Sequence, residues 1–177
     1  MVAALDQALT GLDWEVVFVD DDSPDGTSAE AKRLAQGDTR VRCIRRIGRR
    51  GLSSAVIEGA LSSSADYVAV IDGDMQHDET RLPLMLEAVR AGADMAVGSR
   101  HVEGGDSAGL SSPLRVKLSE TGIRIAQAVT HTSISDPMSG FFLLRRELFE
   151  ALASRLTGQG FKILLDLILA SPRVLNI

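Results

Sequence analysis

The stretch Glu15-Val16-Val17-Phe18-Val19-Asp20-Asp21-Asp22-Ser23-Pro24-Asp25-Gly26 decides the fold. A short run of β-branched and aromatic residues reads as a buried strand, and the Asp, Ser, Pro and Gly that follow are turn formers. The same pattern returns where Tyr67-Val68-Ala69-Val70-Ile71 runs straight into Asp72-Gly73-Asp74. Two further strands are expected at Val41 to Ile44 and Met95-Ala96-Val97. Helical periodicity fills the intervals, over Thr27 to Gln36, Ser53 to Leu61 and Thr80 to Ala91. In the last of these Leu82, Leu86 and Val89 share the inward face. Strands alternating with helices predict an α/β fold, a mostly parallel sheet flanked by helices.

Outward from this centre, Met1 to Gly11 reads as a helix with Gly11 as its stop, and Gly48 to Gly51 as a basic turn. His101 to Ser112 is Gly- and Ser-rich without periodicity and is expected to be a mobile loop. Pro113 to Val129 reads as a long helix, Phe141 to Leu144 as a strand and Phe161 to Ala170 as an apolar helix. No repeat or linker divides the 177 residues, so one domain over 1–177 is expected. Such domains usually open on a strand. This chain opens on a helix and stops as Arg173-Val174-Leu175 begins to resemble a strand, so it reads as a fragment or a fold reduced at both ends.

Apolar residues make up 45% and charged residues 24%, a globular composition. A net charge of −5 argues against a general nucleic-acid binder. The single cysteine, Cys43, excludes an intrachain disulfide and makes a reducing compartment the default. No apolar run approaches the roughly 20 residues that span a bilayer, and no signal peptide is evident. The oligomeric state stays open.

The chemistry concentrates in Asp20-Asp21-Asp22 and Asp72-Gly73-Asp74. In a parallel sheet both lie at carboxyl ends of strands, where such folds bind ligands. Clustered carboxylates repel unless a positive group sits among them, and a hard divalent cation is the natural one. As solvated turn residues they would need no ligand. An EF-hand fails, because its closing Glu falls at Lys32 and Pro24 interrupts the loop. Two readings stay open on the residues alone. One is an aspartyl phosphatase with Asp20 or Asp72 as nucleophile. The other is a cation held by Asp72-Gly73-Asp74 that neutralises a nucleotide diphosphate.

The segment from Val17 to Thr27 resembles the first motif of family 2 glycosyltransferases, nearest the branch acting on dolichol or polyprenyl phosphate. Arg50-Gly51-Leu52-Ser53-Ser54-Ala55 is similar to that branch's basic Gly-rich segment, and Asp72-Gly73-Asp74-Met75-Gln76-His77 to its metal motif. Gly98-Ser99-Arg100, Asp136-Pro137-Met138-Ser139-Gly140-Phe141-Phe142 and Gly160-Phe161-Lys162 follow in the family's order. Two departures stand out: the family's opening strand, which lines the nucleotide pocket, would precede Met1, and Ser53-Ser54 stands where glycine is frequent.

The resemblance implies a GT-A fold and an inverting transferase that moves mannose or glucose from a GDP- or UDP-sugar to a polyprenyl phosphate. A sugar or protein hydroxyl is the alternative acceptor. Asp72, Asp74 and Gln76 would hold Mg²⁺ or Mn²⁺. Asp20, Asp21, Arg50, Gly51 and Asp72 would bind the donor. Arg100, Arg115, Ser119 and Lys162 would hold the acceptor phosphate, with Arg115 and Ser119 on one helix face. Asp74, Arg100, Arg115 and Asp136 form the expected catalytic set. The loop 101–112 would close as a lid. The dense run Arg40, Arg42, Arg45, Arg46, Arg49 and Arg50 is either phosphate- or membrane-directed or a solvated edge. The resemblance places the chain at the cytoplasmic face of a membrane.

Overall fold

The computed structural model describes residues 1–98, 136, 138–160 and 162–177. The expected loop 101–112, the helix 113–129, Arg100, Arg115 and Ser119 lie outside the described residues. In chain order, the described elements are α1 (Val2–Ala8), β1 (Val16–Asp20), α2 (Thr27–Gly37), β2 (Val41–Arg45), α3 (Leu52–Leu61) and β3 (Tyr67–Val70). A 3₁₀ turn (Glu79–Arg81) leads into α4 (Leu82–Arg90), then come β4 (Met95–Val97), β5 (Phe142–Arg145), α5 (Arg146–Ala153) and α6 (Ile163–Ala170).

β1 and β2 pair in parallel, from Val16 opposite Val41 to Asp20 opposite Arg45. β3, β5 and β4 form a second ladder in that order. β5 runs antiparallel to both neighbours, with Phe142 opposite Val70 on one side and Val97 on the other. The alternation of strands and helices gave the direction of the first four strands in pairs; it carried no information on β5, which alternates with nothing.

β5 explains the core. Its side chains point alternately to opposite faces. Phe142 and Leu144 pack with Phe149, Leu152, Ile163, Leu164 and Leu167 of α5 and α6. Phe141, just before the strand, and Leu143 pack with Leu5 of α1 and with Leu82, Met85 and Val89 of α4. The sheet is thus covered on both faces, and the run Phe141 to Leu144 is apolar throughout because both sides are core. Each side chain fully buried here contributes about 1.5–3 kcal/mol.

The antiparallel strand also fixes where the site lies. The start of β5 meets the carboxyl ends of β3 and β4. Asp72, Gly98 and the segment Ser139-Gly140 therefore share one edge of the ladder. Several expected boundaries move. α1 ends at Ala8, ahead of Gly11, and α6 begins at Ile163. Helix α5 was not foreseen. The residues 173–177 form no strand, yet Asn176 O accepts hydrogen bonds from the backbone of Asp94 (2.8 Å) and Met95 (3.3 Å).

Candidate active site

The two acidic clusters are handled in opposite ways. In the first, every carboxylate is engaged by the protein itself. Asp20 is buried at the end of β1, and its Oδ2 accepts from Ser23 N (3.2 Å) and from the Ser28 hydroxyl. Burial pushes its carboxyl up, but those hydrogen bonds, aided by Arg45, outweigh it and hold it below the ordinary carboxylate range. Asp22, in a left-handed conformation at φ 61°, pairs with Arg45 (2.6 Å).

Asp21 bridges two loops. Its Oδ1 accepts from Arg46 Nε (2.6 Å) and its Oδ2 from Gly51 N (2.8 Å). Arg46 also donates to Gly51 O (2.9 Å) and to Ser54 Oγ (2.8 Å), with Glu58 at 3.7 Å. Its guanidinium is wholly buried. Register explains the meeting: Asp20 lies opposite Arg45, and Arg46 N donates to Asp20 O (2.8 Å), so the residues following β1 and β2 face each other. Gly51 turns the chain at φ 136°, a conformation open to glycine, and starts α3.

Three more arginines of the basic run are likewise paired. Arg40 binds Asp38 (2.8 Å) and Asp6 (2.6 Å), Arg42 binds Glu15 (3.1 Å), and Arg49 binds Glu58 (2.8 Å). Arg50 is exposed and has no side-chain partner among the described residues. Most of this run is therefore neutralised within the fold, which favours a paired edge over a membrane-directed patch.

The second cluster differs. Among the described residues neither Asp72 nor Asp74 has a Lys or Arg partner. Asp72 Oδ2 lies 3.4 Å from His77 Nε2, and Asp74 Oδ1 accepts from Gln76 N (3.1 Å). Met75 between them takes φ 60°, folding the chain back so that Gln76 and His77 return toward the carboxylates. The His77 ring rests against Phe141, centroids 5.2 Å apart. Asp72, Asp74, Gln76, His77, Met138 and Gly140 line a hollow of about 60 Å³.

These residues fit a hard divalent cation. They offer oxygen donors in a small polar hollow with uncompensated negative charge. Among the described residues no three His, Cys, Asp or Glu side chains converge on one point. A cation here would take two carboxylates and the Gln76 amide, leaving positions for water and phosphate oxygens, as Mg²⁺ does at phosphate-transfer sites.

The segment before β5 is pinned to the same edge. Ser139 Oγ donates to Gly98 O (2.6 Å) and accepts from Phe141 N (3.1 Å), while Gly98 N donates to Phe141 O (2.8 Å). Asp136 is buried, and its Oδ1 accepts from Met138 N (3.2 Å). Lys162 is exposed at the start of α6. The segment leading to it touches the first turn of α3, because Ser53 N donates to Gly160 O (3.1 Å).

The structure thus gathers Asp72, Asp74 and Gln76 in one hollow and ties Asp21 to Gly51. Sequence reasoning missed Arg46, Ser139 and Gly140 as parts of the site. Arg46 was concealed in a run of arginines; its one signal was its place directly after a strand.

The glycosyl transferase family 2 model matches residues 2–153. The chain is 40% identical over 172 residues to a dolichol-phosphate mannosyltransferase of Pyrococcus furiosus, covering 96% of this chain and 47% of that protein. It is 37% identical over 162 residues to the dolichol-phosphate mannosyltransferase of Saccharomyces cerevisiae, covering 89% of this chain and 58% of the relative. The chain therefore spans about half the length of these relatives. In fold it resembles glucosyl-3-phosphoglycerate synthase of Mycobacterium tuberculosis, solved with Mn²⁺, UDP-glucose and phosphoglyceric acid. The TM-score is 0.65 at 18% identity, covering 94% of this chain and 57% of that one. The GT-A fold expected from the motifs is the fold found, and the chain belongs to glycosyl transferase family 2.

Proposed function

We propose that this chain is the donor-binding and catalytic part of an inverting transferase that moves mannose from GDP-mannose to a polyprenyl phosphate. The observation that carries the reading is the pair Asp72 and Asp74, the acidic cluster that has no Lys or Arg partner among the described residues. The names of the relatives favour mannose and a dolichol-type acceptor.

A divalent cation bound there would supply Lewis-acid stabilisation of the departing diphosphate. Asp74, Asp72 and Gln76 would hold it. Asp21, locked by Arg46, would shape the wall of the nucleotide pocket and fix the Gly51 turn, leaving the exposed Arg50 side chain beside it for the diphosphate. Asp20 stiffens the same wall through Ser23 and Ser28.

The acceptor, a phosphate monoester with a second pKa near 6, is mostly ionised at neutral pH and needs little help from a base. It needs cations that bring one anion close to another. Arg100, Arg115 and Lys162, with the Ser119 hydroxyl, take that role, and Asp136 orients them. The lipid tail would hold this part of the protein at a membrane surface. No helix among the described residues is long and apolar enough to cross one.

The test is direct. The protein with labelled GDP-mannose, Mn²⁺ and a polyprenyl phosphate is expected to give a labelled lipid. UDP-glucose and a neutral sugar acceptor serve as comparison arms. Label appearing only on the sugar acceptor, or no transfer in any arm, refutes the proposal.

A further inference from the structure

We infer that Gly140 is a positioning residue for the cation-binding site: its missing side chain is the seat on which the Asp72 carboxylate lies. The inference rests on the assignment of Asp72, Asp74 and Gln76 to a divalent cation. A Cβ built on Gly140 would fall within 3.0 Å of all three atoms of the Asp72 carboxyl group, closer than Cβ atoms come to heavy atoms. Backbone freedom is not the reason for glycine here, since Gly140 is not among the glycines with positive φ. What the position requires is space.

A side chain at 140 forces either the backbone or Asp72 to move. The backbone is held on both sides. Ser139 Oγ is bonded to Gly98 O, Phe141 exchanges backbone hydrogen bonds with this pin and with Gly98, and Phe141 itself is 3% exposed within the core. Asp72 is the looser partner. Its side chain is 35% exposed and, among the described residues, its one side-chain bond is the 3.4 Å contact with His77. A methyl group at 140 therefore turns the carboxylate out of the hollow and leaves the fold standing. Gly98 is the opposite case. A Cβ there would fall within 3.0 Å of the buried Phe141 ring, which has nowhere to go. The two glycines thus divide the work, Gly98 for the fold and Gly140 for the site.

The arrangement also connects the two halves of the proposed reaction. Met138 N and Ser139 N both donate to Asp136, on the side chain and the carbonyl respectively. The residues 138–140 are therefore anchored at one end to Asp136 and seat Asp72 at the other. A shift of the acceptor-side carboxylate would be felt at the cation.

The test measures Mn²⁺ binding, read as loss of the free-ion electron paramagnetic resonance signal with GDP present, and folding by circular dichroism melts. The expected result for Gly140→Ala is Mn²⁺ affinity reduced by about tenfold or more, the effect typical of losing a ligand's support, with an unfolding curve close to wild type. Gly98→Ala is expected to show the reverse pattern. The decisive comparison is a cycle with Asp72→Ala. If Gly140 acts through Asp72, the double variant D72A/G140A binds Mn²⁺ no more weakly than D72A and melts with it. A double variant weaker or less stable than D72A overturns the inference, and so does G140A binding like wild type while Asp74→Asn loses the ion. Failure of Asp74→Asn to weaken Mn²⁺ binding overturns instead the cation assignment on which the inference stands.

Discussion

Replacing Arg46 by Met tests whether the first acidic cluster is held by the protein itself. The substitution keeps an unbranched apolar stem of similar reach and removes the guanidinium. Breaking a buried pair by removing one partner costs about 3–5 kcal/mol when the remaining charge has no access to water. Here the losses are uneven. Ser54 Oγ keeps its bond to Gly51 O (2.9 Å), so neither group is orphaned. Asp21 keeps Gly51 N but loses its charge partner, and its side chain is 27% exposed, so water can partly replace the guanidinium. The expected cost is therefore below that range, about 2–3 kcal/mol, or a fall in Tm of about 5–10 °C for a chain of this size. Urea unfolding followed by circular dichroism and by the fluorescence of Trp14, the sole tryptophan, measures it. Because the cost sits on Asp21, D21N/R46M is expected to recover at least about 1 kcal/mol over R46M. A loss under about 0.5 kcal/mol for R46M, or strictly additive effects in the double variant, would show that Arg46 is not holding Asp21.

Asp74→Asn is expected to abolish Mn²⁺-dependent sugar transfer and weaken nucleotide binding when Mn²⁺ is present; full activity in a transfer assay would remove Asp72-Gly73-Asp74 from the cation site. Gly98→Ala is expected to cost about 1–3 kcal/mol by overpacking against Phe141, measured by urea unfolding. Arg173 hydrogen-bonds Asp94 (2.6 Å) and, with Asn176 N, holds its carboxyl below the ordinary value of 3.8. A depressed carboxylate stabilises the fold above its unfolded pKa and loses that contribution as pH falls through the folded value. Arg173→Met should therefore lower stability at pH 7 and flatten the acid loss below about pH 4; acid titrations of the two proteins that run parallel would contradict this.

The sequence made the repeating strand–acid motif visible because each strand is short, apolar and followed at once by turn residues. Composition and spacing alone could not separate the roles of the two clusters, which only the resemblance to the family's motifs told apart. Asp20-Asp21-Asp22 and Asp72-Gly73-Asp74 look alike in one dimension. What distinguishes them is that β2 ends beside the first cluster and brings Arg45 and Arg46 to it, whereas the second has no Arg or Lys beside it among the described residues. That is a fact of register, and register is set by long-range pairing. The direction of β5 was illegible for a related reason. Its residues are apolar on both faces, so period and composition say only that the strand is buried. The glycines carried the weakest signal: Gly140 and Gly98 stand in loop-like segments where glycine is common, and their requirement for space appears only when Asp72 and Phe141 are in place.

The reversal of β5 has a chemical consequence. A parallel strand in its place would send Phe142 to Arg145 away from the site and leave the residues before it at the opposite edge. Running antiparallel between β3 and β4, β5 instead delivers the chain that precedes it to the carboxyl ends of both neighbours. That chain carries Asp136, Ser139 and Gly140. One strand direction therefore brings a buried acidic group, a hydroxyl pin and a seat for Asp72 to the edge where Asp72 and Asp74 lie. The first cluster, held by Arg45 and Arg46 on the other ladder, can keep its shape without a ligand. The second has no Lys or Arg partner among the described residues, and on the proposed reading its affinity for a cation would be set by how well the β5 segment holds Asp72. If the proposed cation binds there, the site's response to it would follow from the sheet topology, through residues that touch the carboxylate and need not themselves bind the ion.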